Sequence, residues 1–172
     1  MNLAELLTAI ALVGLTLSGM LTALQQGQQA YAIGAARVEA QQSGRIALER
    51  LAREIRAAGA GGGAFDAIAV AERERITLQL DLDGDGAITQ RGETVTWRLA
   101  APVLRRDAGG GAQPVINGVR SLALEYLDAR GQPTPVPGEV RTVVITLATE
   151  GEQSGGAAGL TTLTTQVRLR NR

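Results

Sequence analysis

The hydrophobic and polar positions divide this chain into two regimes. From Leu3 to Leu24 it is almost wholly apolar, and after Glu5 the next charged residue is Arg37. A bilayer core of about 30 Å needs roughly 20 helical residues, so this run is long enough to cross one. It is too long for a secretory signal, and no Lys or Arg precedes it. Gln25-Gln26-Gly27-Gln28-Gln29 reads as a polar exit from the membrane, and from Arg37 the pattern turns amphipathic. Val38, Leu48, Leu51 and Ile55 fall near one helical stripe, with Arg45, Glu49, Arg53 and Arg56 mostly off it. Glu49 and Arg53, four apart, stand in the favourable order for an ion pair. Gly59 and Gly61-Gly62-Gly63 end the pattern, which predicts one helix over 1–58, membrane-embedded over 1–30 and amphipathic over 31–58. The two glycines at 14 and 19 predict local loosening, since each costs about 1 kcal/mol against Ala.

Beyond residue 58 the period changes to two. Alternation over 75–82, 93–99, 119–127, 141–147 and 160–169 predicts strands, with 102–106 continuing the meander. Residues 131–138, with Pro133, Pro135 and Pro137, predict a stiff polyproline-like connection, and 152–159 a flexible hairpin loop. Strands in series without intervening helices predict an antiparallel sheet. With the long helix over one face, the fold class is α+β, with a β domain over 59–172.

Composition narrows the chemistry. The chain has 172 residues and no net charge, so no large field draws it to nucleic acid. All basic residues are Arg, and His and Cys are absent. Imidazole bases, thiol nucleophiles, disulfides and imidazole-bound zinc are therefore unavailable. Four aromatics (Tyr31, Phe65, Trp97 and Tyr126) are too few for a base-stacking platform. Nothing in the sequence assembles an active site, and no enzyme is expected.

Two acidic features stand out. Glu5 is a lone carboxylate at the head of the apolar run, where insertion costs roughly 2.5–3.5 kcal/mol at a helix centre. It reads either as a group awaiting a cationic partner or as a cap on the helix start, worth about 0.3–1 kcal/mol. Asp81, Asp83 and Asp85, with Gly84 and Gly86, resemble the start of a calcium loop, although the twelfth position is Gly92 and Glu93 arrives one residue late. The flanks are strands, so a hairpin turn is the equal alternative. The candidate ligands are Asp81, Asp83, Asp85 and Glu93, with calcium as the only cofactor suggested.

A glutamate fifth from the start of an apolar helix resembles the mature end of a type IV pilin or pseudopilin. Such proteins more often begin with Phe where this chain has Met1, and many have Pro near position 22, here Thr22. The segment Leu124-Glu125-Tyr126-Leu127-Asp128-Ala129-Arg130-Gly131 and the ending Val167-Arg168-Leu169-Arg170-Asn171-Arg172 resemble minor pilins of the PilW type, and are similar to J-type pseudopilins of type II secretion. The resemblance implies a type IV pilin-like fold, cleavage of a leader by prepilin peptidase, N-methylation at Met1, residence in the inner membrane and then assembly into a surface filament. Its partners would be copies of itself, other pilins and the assembly machinery. Glu5 would pair with the terminal amine of a neighbouring Met1. The alternatives are a type II secretion pseudopilin and a single-pass membrane protein displaying a calcium-binding β domain.

Overall fold

The computed structural model describes residues 2–150 and 160–171. One helix, α1, runs unbroken over Leu3–Ala57, about 80 Å at 1.5 Å per residue. In this free chain it passes regularly through Gly14 and Gly19, so the loosening expected there is not seen. Among the described residues eight strands follow: β1 (Ile68–Ala71), β2 (Arg75–Gln79), β3 (Thr94–Ala100), β4 (Val103–Asp107), β5 (Gln113–Ile116), β6 (Val119–Leu127), β7 (Thr142–Glu150) and β8 (Leu160–Arg168). The α+β class stands: a long amino-terminal helix packed on antiparallel sheet.

The single sheet expected from the sequence is instead two. Strands β1 to β5 form one meander and β6-β7-β8 a second, all pairs antiparallel. Strand β5 contains Pro114, which removes a ladder donor and fits the edge position it holds. At Gly118, with φ +70°, the chain swings into the second sheet. A Cβ there would lie 2.5 Å from the Glu150 carbonyl oxygen, while Glu150 N–H donates to the Gly118 carbonyl at 2.8 Å. Only a residue without a side chain permits that approach. Strands β1 and β5 are four residues each and too short for their periodicity to show.

The proline-rich segment folds back compactly and does not run as an extended spacer. Pro133 bridges to Leu127, Thr134 Oγ1 donates to Glu139 at 2.9 Å, and Pro137–Glu139 form a 3₁₀ turn. The hairpin loop expected over 152–159 lies outside the described residues; the strands it joins pair from Glu150↔Leu160 to Thr142↔Arg168.

The core lies between α1 and both sheets. Leu51 and Ile55 from the helix meet Trp97, Ile76, Leu104, Ile145 and Leu147, all fully buried. Strand β7 shows why the period-two signal was legible: Val143, Ile145, Leu147 and Thr149 point inward and alternate with half-buried neighbours. Val38 does not belong to the packed stripe; it is 55% exposed. Burial on the helix begins at Gly44, where a Cβ would meet Leu163 Cδ1 at 3.0 Å, so a small residue brings the helix down onto β7 and β8.

Candidate functional site

The amino-terminal half of α1 has no covering from the described residues. Eleven large apolar side chains between Leu3 and Leu24 are exposed, each by at least 43%, and the helix is long and apolar enough to cross a membrane. Its polar residues are prepared for such surroundings. Thr8, Thr16 and Thr22 donate their hydroxyls back to the carbonyls of Glu5, Val13 and Ser18 at 2.9 Å, so those three hydroxyls do not need water. Gly14 and Gly19 face open space, which leaves room for another helix to approach closely.

Glu5 sits in the first turn of α1. Its Oε2 accepts from the Asn2 backbone N–H at 3.0 Å, and the Asn2 carbonyl accepts from the Glu5 and Leu6 N–H groups. In the free chain Glu5 thus closes the start of its own helix. Met1, the assembly partner and methylation site expected from the sequence, lies outside the described residues.

The acidic loop between β2 and β3 is organised from within. Asp81, Asp83 and Asp85 bring one carboxylate oxygen each to within 4.8 Å of one another. Asp81 accepts from the Gly84 and Gly86 N–H groups at 2.6 and 2.9 Å, Asp83 from Asp85 at 3.1 Å, and Asp85 from Ala87 at 2.8 Å. Gln90 Nε2 also donates to Asp83. Glu93 is placed differently. It is fully buried beneath the loop, and its two oxygens accept from Leu82, Thr89 and Gln90 backbone N–H groups at 2.7–3.2 Å. The structure gathers the three aspartates into one cluster and sets Glu93 under it as the post around which the loop is wound. Gly61, at φ +102°, seats the loop against the helix end: a Cβ there would fall 2.4 Å from that of Asp81.

These contacts shift titration in opposite directions. The amide of Gln90, then those of Leu82 and Thr89, hold Glu93 below the usual carboxylate range against the effect of burial. The Gly86 and Gly84 amides do the same for Asp81. For Asp83 the Asp85 amide pulls down, but burial and the neighbouring acids Asp81, Asp85 and Glu93 outweigh it and push the group up. A lowered acid contributes stability above its unfolded value, about pH 4, and loses it as pH falls through its folded value. The thermal midpoint of the full chain in detergent is therefore expected to fall on acidification below about pH 4, and to fall less in Glu93→Gln. Identical acid profiles for the two proteins would show that Glu93 does not hold the loop through its charge.

One constellation has no counterpart in the sequence reading. Glu54, on the last turns of α1, accepts from Trp97 Nε1 of β3 at 2.6 Å and from Arg106 Nε of β4 at 2.8 Å, with Arg50 Nε at 3.6 Å. These contacts clamp the helix to the five-stranded sheet. Glu49 pairs with Arg45 at 3.1 Å and not with Arg53, the partner suggested by spacing. At the other end of the chain Asn171 Nδ2 donates to the carbonyls of Arg56, Ala57 and Ala58, which the helix leaves open.

No protein-family model and no curated protein matches the chain. Among solved structures it is similar to a type IV-like pilin from Thermus thermophilus, at 12% identity and a TM-score of 0.48, over 76% of this chain and 95% of that one.

Proposed function

We propose that this chain is a structural subunit of an extracellular type IV pilus-like filament, assembled through its amino-terminal helix. The observation that carries the reading is the division of α1. Its second half is fixed to its own sheets, while eleven large apolar side chains of the first half are left exposed. Covering them is worth on the order of 10–30 kcal/mol, far more than a folded chain can leave in water. A bilayer covers them before assembly and the helices of other subunits cover them afterwards. Bitopic anchoring alone leaves Glu5 without a purpose beyond capping; a bundle of like helices supplies the amine of a neighbouring Met1 as its partner. The interface is heterologous, so the product is an open helical polymer.

Within this reading prepilin peptidase removes a leader, Met1 is methylated, and the subunit moves from the inner membrane to the cell surface through type IV pilus or type II secretion machinery. Electron microscopy of sheared surface filaments, with mass spectrometry of their subunits, is expected to find this chain in the polymer. Its retention in the membrane fraction, with filaments lacking it, would overturn the proposal.

Calcium at Asp81, Asp83 and Asp85 belongs to the same proposal. In the millimolar calcium outside cells, a site of Kd on the order of 10⁻⁴–10⁻³ M is substantially filled. The full chain in detergent is expected to melt at a higher temperature with calcium than with chelator, and Asp83→Ala to lose the difference. Equal midpoints for the unsubstituted chain would leave the loop as a turn.

A further inference from the structure

Besides its apolar stem, the molecule carries two surfaces of opposite charge that form no ion pair with each other within one copy. The first is a groove of about 540 Å³ between α1 and the edge strand β8. Leu48, Ala52 and Leu163 line it with apolar surface, and Arg45, Arg53 and Arg56 stand around them. At Arg56 it adjoins a second groove of about 590 Å³, edged by Arg168 and Arg170. Glu49 is the only acid among the described residues lining either groove, and Arg45 already occupies it. Arg53 and Arg56 have no ion-pair partner among the described residues.

The second surface is the base of the loop between β2 and β3. Leu82 stands 61% exposed there, between the buried Asp81 and the exposed Asp83, with exposed Asp85 further on. A large apolar side chain held out among carboxylates is the complement of an apolar-lined groove with arginines around it. The groove runs along one flank of the packed half of α1, and the loop is seated past the helix end, against Gly61 and Gly63. Arg45, Glu49, Ala52, Arg53 and Arg56 face β8, whereas Arg50 and Glu54 face β3 and β4, the sheet that carries the loop. At 100° per residue, Arg45, Ala52 and Arg56 fall to one side of the buried stripe through Leu51 and Ile55, Arg50 and Glu54 fall to the other, and Arg53 points away from it.

From this we infer that the Asp81–Asp85 loop of one copy docks into the groove between α1 and β8 of the next, with Leu82 seated over Leu48, Ala52 and Leu163 and the loop's acidic face, which one calcium ion at the three aspartates lowers from three negative charges to one without cancelling, against Arg53 and Arg56. The inference rests on the filament reading and adds to it a second, outer contact between subunits. Because the donating and receiving surfaces differ, the contact repeats from copy to copy without closing, as a helical polymer requires. Leu82 supplies the central desolvated contact, and the charges around it set orientation and exclude other registers.

The chain has no native cysteine, so cross-linking has no background. Harvested filaments of the Leu82→Cys, Arg53→Cys double variant, treated with a short bis-maleimide, are expected to give a ladder of covalent multimers, and filaments of either single variant none. Intact filaments of the double variant without a ladder would overturn the docking while leaving the filament reading in place. Absence of filaments from the unsubstituted chain would overturn both. If the cysteine variant does not assemble, charge reversal decides. Arg53→Glu with Arg56→Glu is expected to lower filament yield about tenfold or more, and Asp83→Arg with Asp85→Arg added to the same chain to restore it. Undiminished yield in the first reversal, or no recovery in the second, would overturn the docking.

Discussion

Replacing Glu5 with Ala is expected to lower filament yield roughly a hundredfold or more while both sheets stay folded. The pair proposed between Glu5 and a neighbouring Met1 amine lies among apolar helices, where removing one partner strands the other charge at a cost of about 3–5 kcal/mol. At about 1.4 kcal/mol per factor of ten, that is ample to halt subunit addition. Glu5 also receives the Asn2 N–H within its own chain, and losing that cap alone costs only about 1 kcal/mol. Glu5→Gln separates the two roles, because the amide oxygen still accepts from Asn2 but carries no charge. Filament mass per cell, beside circular dichroism of the purified chain, is the measurement. A Gln variant that assembles at full yield would reduce Glu5 to a helix cap.

The second large effect is expected at Glu54. Glu54→Ala leaves the fully buried Trp97 without an acceptor for Nε1 and Arg106 without its 2.8 Å partner. An orphaned buried donor costs about 1–3 kcal/mol. The Arg106 pair adds less than a fully buried one, since about a fifth of each side chain remains exposed. The sum, about 2–4 kcal/mol, is large for a domain of this size and should appear as a midpoint several degrees lower. Glu54→Gln should retain the Trp97 bond and lose less. In a double-mutant cycle Glu54→Ala and Arg106→Ala should fall short of additivity, because they share one contact. Additive losses would mean that the clamp is not a unit.

Glu54 also shows where reading the sequence stops. The long helix, the strand alternation and the Asp-Gly loop depend on neighbours within a turn or a pleat, so period and spacing suffice to place them. Glu5 was legible because it stands alone: no other charge lies between it and Arg37. Glu54 looks like any charged residue beside the amphipathic stripe. Its partners are 43 and 52 residues away, brought close only when α1 lies across β3 and β4. Glu93 was visible as an acid near the loop, but its place beneath it depends on the backbone of Leu82, Thr89 and Gln90 turning inward.

By itself, then, the sequence determined that a long helix begins apolar on all sides, turns one-sided past Arg37, and precedes strands of alternating character. These are consequences of local periodicity and of the cost of placing charge in apolar surroundings. Tertiary structure alone decided that the strands divide into two sheets at Gly118, that burial on the helix starts at Gly44 and passes Val38 by, and that Arg56 and Glu54, two apart in sequence, serve opposite flanks. Each of those outcomes was set by how closely two distant backbones could approach, and no local pattern encodes that distance.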